Sequence, residues 1–132
     1  MSTMAEPLIL IVDDNERNRR LSRDVLGFAG LRTTEAATAA AGIQAAIEDQ
    51  PDVILMDIRL PDLDGPAALA RLRSDARTAW IPIIAVTSSA MMGDRERLLA
   101  AGFDGYLEKP INVREFPAQV RSFTRPRGAA AT

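Results

Sequence analysis

Residues 52–65 read Asp-Val-Ile-Leu-Met-Asp-Ile-Arg-Leu-Pro-Asp-Leu-Asp-Gly, and this stretch decides the fold. Val53, Ile54, Leu55 and Met56 form an unbroken apolar run bounded by Asp52 and Asp57. A strand with one wet face alternates apolar and polar residues, whereas an unbroken run suits a strand covered on both faces. Pro61 and Asp64-Gly65 then supply turn chemistry. After Pro66 the pattern is helical through Leu69 and Leu72.

The same unit recurs on either side. Leu8 to Val12 is an apolar run ended by acids, and residues 15–29 carry Leu21, Val25, Leu26 and Phe28 at roughly helical spacing before Gly30. Residues 32–36 are a weaker strand candidate, and an Ala-rich segment through Ile43 and Ile47 reads as a second helix closed by Pro51. Ile83 to Val86 repeats the strand pattern. Residues 91–101 read as a helix ending at Gly102, residues 105–107 as a short strand before the Lys109-Pro110 break, and a last helix follows Asn112. About five strand-helix units argue for an α/β domain, a parallel sheet with helices on both faces.

In such folds functional residues gather beyond the carboxyl ends of the strands. The first strand ends in Asp13 and Asp14, the third in Asp57 and the fourth in Thr87, and the fifth leads to Lys109. Three carboxylates brought together repel one another unless a cation sits among them. All-oxygen ligation suits Mg²⁺, which prefers octahedral geometry at about 2.0–2.1 Å and keeps several waters. The chain has no cysteine and no histidine. That excludes disulfides, thiolate nucleophiles, Ser-His triads, the usual zinc sites and a histidine phosphodonor.

The 132 residues are 47% hydrophobic and 26% charged with a formal charge of -2, which fits one globular domain without bulk attraction to nucleic acid or anionic membrane. Each rim residue has an ordinary alternative. Asp14 or Asn15 could simply cap the first helix, Asp57 could be a strand-to-loop acid, Thr87 could bond its own backbone, and Lys109-Pro110 could be a plain loop. The joint occurrence favours a site.

The strings IVDDN, MDIRLPDLDG, VTSSA and YLEKPI resemble, in order and spacing, the receiver domains of two-component response regulators, the CheY-like superfamily. The likeness covers nearly the whole chain and is to single-domain members, the Gly93-Asp94 pair being similar to the DivK-like subgroup. It implies a flavodoxin-like (βα)5 doubly wound parallel sheet of strand order 2-1-3-4-5. It also implies that Asp57 is the phosphoacceptor, attacking a phosphoryl group carried by a sensor histidine kinase or histidine phosphotransfer protein. On the same resemblance Asp13, Asp14, Asp57 and the main-chain carbonyl of Arg59 hold Mg²⁺, with Mn²⁺ as the alternative ion. Lys109 and Thr87 would each bond a phosphoryl oxygen, and Thr87 and Tyr106 would form a two-state switch. Tyr106 also has an ordinary reading, as a strand aromatic half-packed against the last helices. Lys109-Pro110 is a candidate cis peptide.

Lys109 is the only lysine in a chain that otherwise uses arginine for every cation. A compact ammonium and a broad planar fork are not interchangeable in a narrow phosphate site. Three features depart from the family pattern. Arg59 stands two residues after Asp57, and with Ser89, two after Thr87, it is a candidate for tuning phosphoryl lifetime. Ser88 follows Thr87 where a small residue is needed. Pro117 falls early in a last helix read as starting at an Asn112-x-x-Glu115 capping box, where its missing N–H should weaken or kink the first turns and reshape a partner or dimer surface.

These readings make residues 1–124 a receiver domain and residues 125–132 a short disordered tail with no effector module. Output would then pass through a downstream protein target or a homodimer, in the cytoplasm, without nucleic acid or membrane. A phospho-independent interaction module and an aspartyl-phosphate phosphohydrolase are the competing classes. The first is disfavoured by the intact acidic set. The second is disfavoured by Arg59 where a second acid would be needed, so only slow self-dephosphorylation is expected.

Overall fold

The computed structural model describes residues 6–88 and 94–124. Five strands, β1 (Leu8–Val12), β2 (Arg32–Ala36), β3 (Val53–Asp57), β4 (Ile83–Thr87) and β5 (Gly105–Glu108), alternate with five helices, α1 (Glu16–Phe28), α2 (Ala39–Asp49), α3 (Gly65–Arg73), α4 (Asp94–Ala101) and α5 (Phe116–Phe123). All neighbouring strands are parallel, in the order β2-β1-β3-β4-β5. The flavodoxin-like architecture expected from the resemblance is therefore the one the chain adopts.

Successive strand residues point to opposite faces, so each apolar run supplies two cores. Leu10, Val12, Ile54, Met56, Ile83 and Ala85 pack with residues of α2, α3 and α4. Ile9, Ile11, Val53, Leu55, Ile84, Val86 and Leu107 pack with Leu26 of α1 and with Phe116 and Val120 of α5. β3 and β4 are buried along their whole length, as their unbroken apolar runs require.

Two sequence expectations change in the structure. Phe28, part of the apolar pattern of α1, is 97% exposed, while Leu26 is fully buried. The apolar stripe of α1 faces the sheet at Leu26, and Phe28, the last helical residue, lies on the far side.

The second correction concerns Pro117. The Asn112 side chain accepts N–H bonds from Arg114 at 3.0 Å and Glu115 at 3.2 Å, closing a turn ahead of the helix. The N-cap of α5 is Glu115, without a side-chain cap bond, and Pro117 falls in the first turn. The first N–H groups of a helix have no intrahelical acceptor, so proline there breaks no bond and its fixed φ suits the position. So placed, Pro117 costs α5 no intrahelical hydrogen bond. The helix read over 91–101 is described only as Asp94–Ala101, and Ser89, Gly93 and the tail at 125–132 lie outside the described residues.

Candidate functional site

The carboxyl ends of β1, β3, β4 and β5 converge as the sequence predicts. Asp13 continues β1, its N–H bonding the Ala36 carbonyl at 3.0 Å. Its side chain then accepts the Asn15 N–H at 2.9 Å. Asn15, not Asp14, caps α1, accepting the Asn18 N–H at 2.9 Å. Capping therefore leaves the Asp14 carboxylate for the rim, where carboxylate oxygens of Asp13, Asp14 and Asp57 all lie within 4.8 Å of one another.

Strand parity groups the other residues. Asp13 and Asp57 continue the alternation of Ile11 and Leu55 and so belong to the α1/α5 side of the sheet. Thr87 continues that of Ile83 and Ala85, and Tyr106, paired in register with Ala85, packs on the same α4 side. Asp13, Asp57 and Thr87 are buried. The Thr87 carbonyl accepts the Lys109 N–H at 2.8 Å, which extends the β4–β5 ladder by one step and fixes where Lys109 starts. The Lys109–Pro110 peptide is cis.

Lys109 supplies the positive charge. Its Nζ lies 2.8 Å from Asp13 Oδ2 and 2.8 Å from Asp57 Oδ2. Burial works to lower its pKa, but the bonds and charges of Asp13 and Asp57 outweigh burial, and the ammonium is held above its ordinary value. The other Asp57 oxygen accepts the Arg59 N–H at 2.9 Å. The Asp57 carboxylate is thus aimed by one backbone donor and one ammonium. Arg59 itself is exposed and pairs with Asp64 in an isolated antiparallel bridge. Partial burial raises the Tyr106 pKa, with the charges of Glu108 and Asp94 adding to it.

The donor set suits a hard divalent cation. It consists of clustered carboxylates in a chain without cysteine or histidine, and one ammonium already bridges two of the acids.

Three residues that tie elements together, two near the site and one on the opposite rim, had no sequence signal. Arg19 reaches back from α1 to bond the Asp13 carbonyl at 2.7 Å and pairs with Glu35 of β2 at 3.5 Å. Asp62, between the turn residues Pro61 and Asp64, accepts the N–H groups of Ala39 and Ala40 at 2.8 and 3.0 Å. Arg73 bonds the carbonyls of Ala79, Ile81 and Gly102 and the carboxylate of Asp104. Each contact spans elements whose proximity only the fold creates.

A five-stranded parallel sheet of this order with an aspartate triad and a lysine at its carboxyl rim defines a class, and the family comparison agrees: the chain belongs to the response regulator receiver domains, whose family model matches residues 9–121. It is 39% identical over 115 residues to the polar-differentiation response regulator DivK of Brucella ovis, covering 87% of this chain and 94% of that one. Among solved structures it is 37% identical to the receiver domain of the sensor histidine kinase PA1611 of Pseudomonas aeruginosa PAO1, with a TM-score of 0.81 over 90% of this chain and 98% of that one. That structure has a magnesium ion coordinated in its active site cleft. A CheY-like receiver domain protein from Methanospirillum hungatei JF-1 is 32% identical, with a TM-score of 0.76 over 89% of this chain and 92% of that one.

The chain is accordingly a receiver domain of two-component signal transduction, a phosphoacceptor signalling module rather than a classical enzyme, and it implies a histidine kinase partner. Its acidic triad is typical of the Mg²⁺-binding site of receivers. Among the described residues no helix is long and apolar enough to cross a membrane.

Proposed function

We propose that this chain is a phosphorelay switch in which Asp57 accepts a phosphoryl group from a sensor histidine kinase or histidine phosphotransfer protein. The observation that carries this reading is the aimed Asp57 carboxylate, bonded by Lys109 Nζ at 2.8 Å beside Asp13 and Asp14. In the transfer an Asp57 oxygen attacks phosphorus, the P–N bond of the phosphohistidine breaks, and the departing imidazole takes a proton from solvent. Asp13, Asp14, Asp57 and the main-chain carbonyl of Arg59 would hold Mg²⁺ or Mn²⁺. When bound, that ion supplies the positive charge that offsets repulsion between phosphoryl oxygens and carboxylates. Lys109 then turns its ammonium from Asp57 to a phosphoryl oxygen, and the Thr87 hydroxyl bonds another.

Movement of Thr87 toward the phosphoryl group would let Tyr106, on the same side of the sheet, turn inward and alter the surface beside α4. Arg59 and Ser89 would set how long the acyl phosphate survives slow self-dephosphorylation. Residues 1–124 would act as one receiver unit in the cytoplasm, with residues 125–132 as a tail and with output through a protein target or a second copy of the chain.

The test is intact mass after incubation with Mg²⁺ and acetyl phosphate. One phosphoryl adduct on the wild type, lost in Asp57→Ala and without Mg²⁺, is expected. No adduct on the wild type with acetyl phosphate or with a phosphorylated histidine phosphotransfer protein would overturn the reading in favour of a phospho-independent module.

A further inference from the structure

Residues 58–65, between Asp57 and α3, form a closed loop held at two ends. At its base the Gly65 N–H bonds the Ile58 carbonyl at 2.9 Å, and Arg59 bridges Asp64. The backbones approach so closely here that a Cβ on Gly65 would lie 2.8 Å from the Ile58 Cα, a position only glycine fits. At its tip Asp62 spans to another element, its two carboxylate oxygens taking the N–H groups of Ala39 and Ala40 at 2.8 and 3.0 Å. The helix has its own cap in Thr38, which accepts the Ala41 N–H at 3.1 Å. Asp62 therefore satisfies a different pair of free donors, and those bonds hold its carboxyl below its usual pKa.

The helix that Asp62 grips also rests on the strand leading to Asp13. A Cβ on Gly42 of α2 would meet the Val12 Cγ2 atom at 2.9 Å, so glycine lets α2 lie directly on the last residue of β1. The loop following Asp57 and the residue preceding Asp13 are thus both referenced to α2. We infer that Asp62 is a positioning residue for the acidic site, fixing through α2 the spacing between the loop after Asp57 and Asp13. This rests on the proposed function, since it concerns the Mg²⁺ affinity of that site. Outer partners that orient metal ligands typically change affinity by about 10–100-fold when removed. Asp62 acts at one further remove, which points to the lower end of that range.

The experiment measures the Mg²⁺ dissociation constant, from amide chemical shifts, and the thermal midpoint of four chains: wild type, Asp62→Ala, Asp62→Asn and Thr38→Ala. Thr38→Ala weakens the same helix end without touching the loop. The expected result is an affinity loss of about tenfold in Asp62→Ala. Asp62→Asn, which keeps one acceptor oxygen, should lose less. Thr38→Ala should match the wild-type affinity despite a lower midpoint. Wild-type affinity in Asp62→Ala, or an equal loss in Thr38→Ala, overturns this inference alone. A wild type that binds no Mg²⁺ overturns the proposed function and this inference together.

Discussion

The Lys109 ammonium sits 2.8 Å from the Oδ2 of Asp57, a residue 52 positions earlier in the chain. It is half-buried, and its narrow approach also brings it 2.8 Å from Asp13 Oδ2. A guanidinium keeps the charge but spreads it over a planar fork that cannot occupy the same point between two carboxylates. Under the proposed chemistry, Lys109→Arg should lower the yield of acetyl phosphate adduct and phosphorylation-dependent partner binding by about tenfold or more. Wild-type output from that variant would show that charge alone is sufficient.

Arg73 ties α3 to two loops on the opposite rim, through the carbonyls of Ala79, Ile81 and Gly102 and the carboxylate of Asp104. Asp104 in turn accepts the Ile83 N–H at 2.8 Å at the start of β4. Replacing Arg73 with alanine strands two partly buried carbonyls and frees two exposed acceptors at once, and we expect a loss of about 2–3 kcal/mol in urea unfolding. A shift below about 0.5 kcal/mol would mean that water replaces the guanidinium at little cost.

Two apolar residues of α1 should respond in opposite ways. Leu26 is fully buried and Phe28 is 97% exposed. Leu26→Ala removes core methyls and should cost about 2–5 kcal/mol. Phe28→Ser should stay within about 0.5 kcal/mol of wild type. Similar midpoints for the two variants would contradict the helix orientation described here.

Acid stability has an identifiable contributor in the turn after α3. Bonds from the Arg77 side chain and then its backbone N–H lower the Asp75 pKa from 3.8 to about 2. A depressed carboxyl pKa stabilises the fold above the unfolded value and loses that contribution as pH falls through the folded one. The wild type should therefore lose stability between about pH 4 and pH 2 more steeply than Asp75→Asn, in urea midpoints measured across that range. Parallel acid limbs would assign the loss to other carboxylates.

The fold was legible because β1, β3 and β4 are buried on both faces and must read as unbroken apolar runs. The rim residues were legible because Asp13, Asp14, Asp57 and Thr87 each stand at a strand end, where a parallel sheet gathers them. Phe28 was misread since helical spacing alone does not say where the apolar stripe stops. The start of the last helix was misread because the Asn112 turn imitates one, and the start at Phe116 puts Pro117 in the first turn. Asp62, Arg19 and Arg73 were invisible for a different reason. Most of their partners are backbone groups, which any sequence would offer, and the carboxylates of Glu35 and Asp104 are likewise placed by tertiary structure.

The alternation of strand faces has a consequence for how this chain can change length. Asp57 shares the parity of Val53 and Leu55, whereas Thr87 shares that of Ile83 and Ala85. Losing or gaining one residue inside β3 would carry Asp57 to the wrong side and expose half of each core to the other set of helices. The same edit in a connecting segment leaves every strand residue facing as before. Indels should therefore be tolerated at the exposed turn after α3 and rejected inside β3 and β4, a map of permitted spacing set by the pleat.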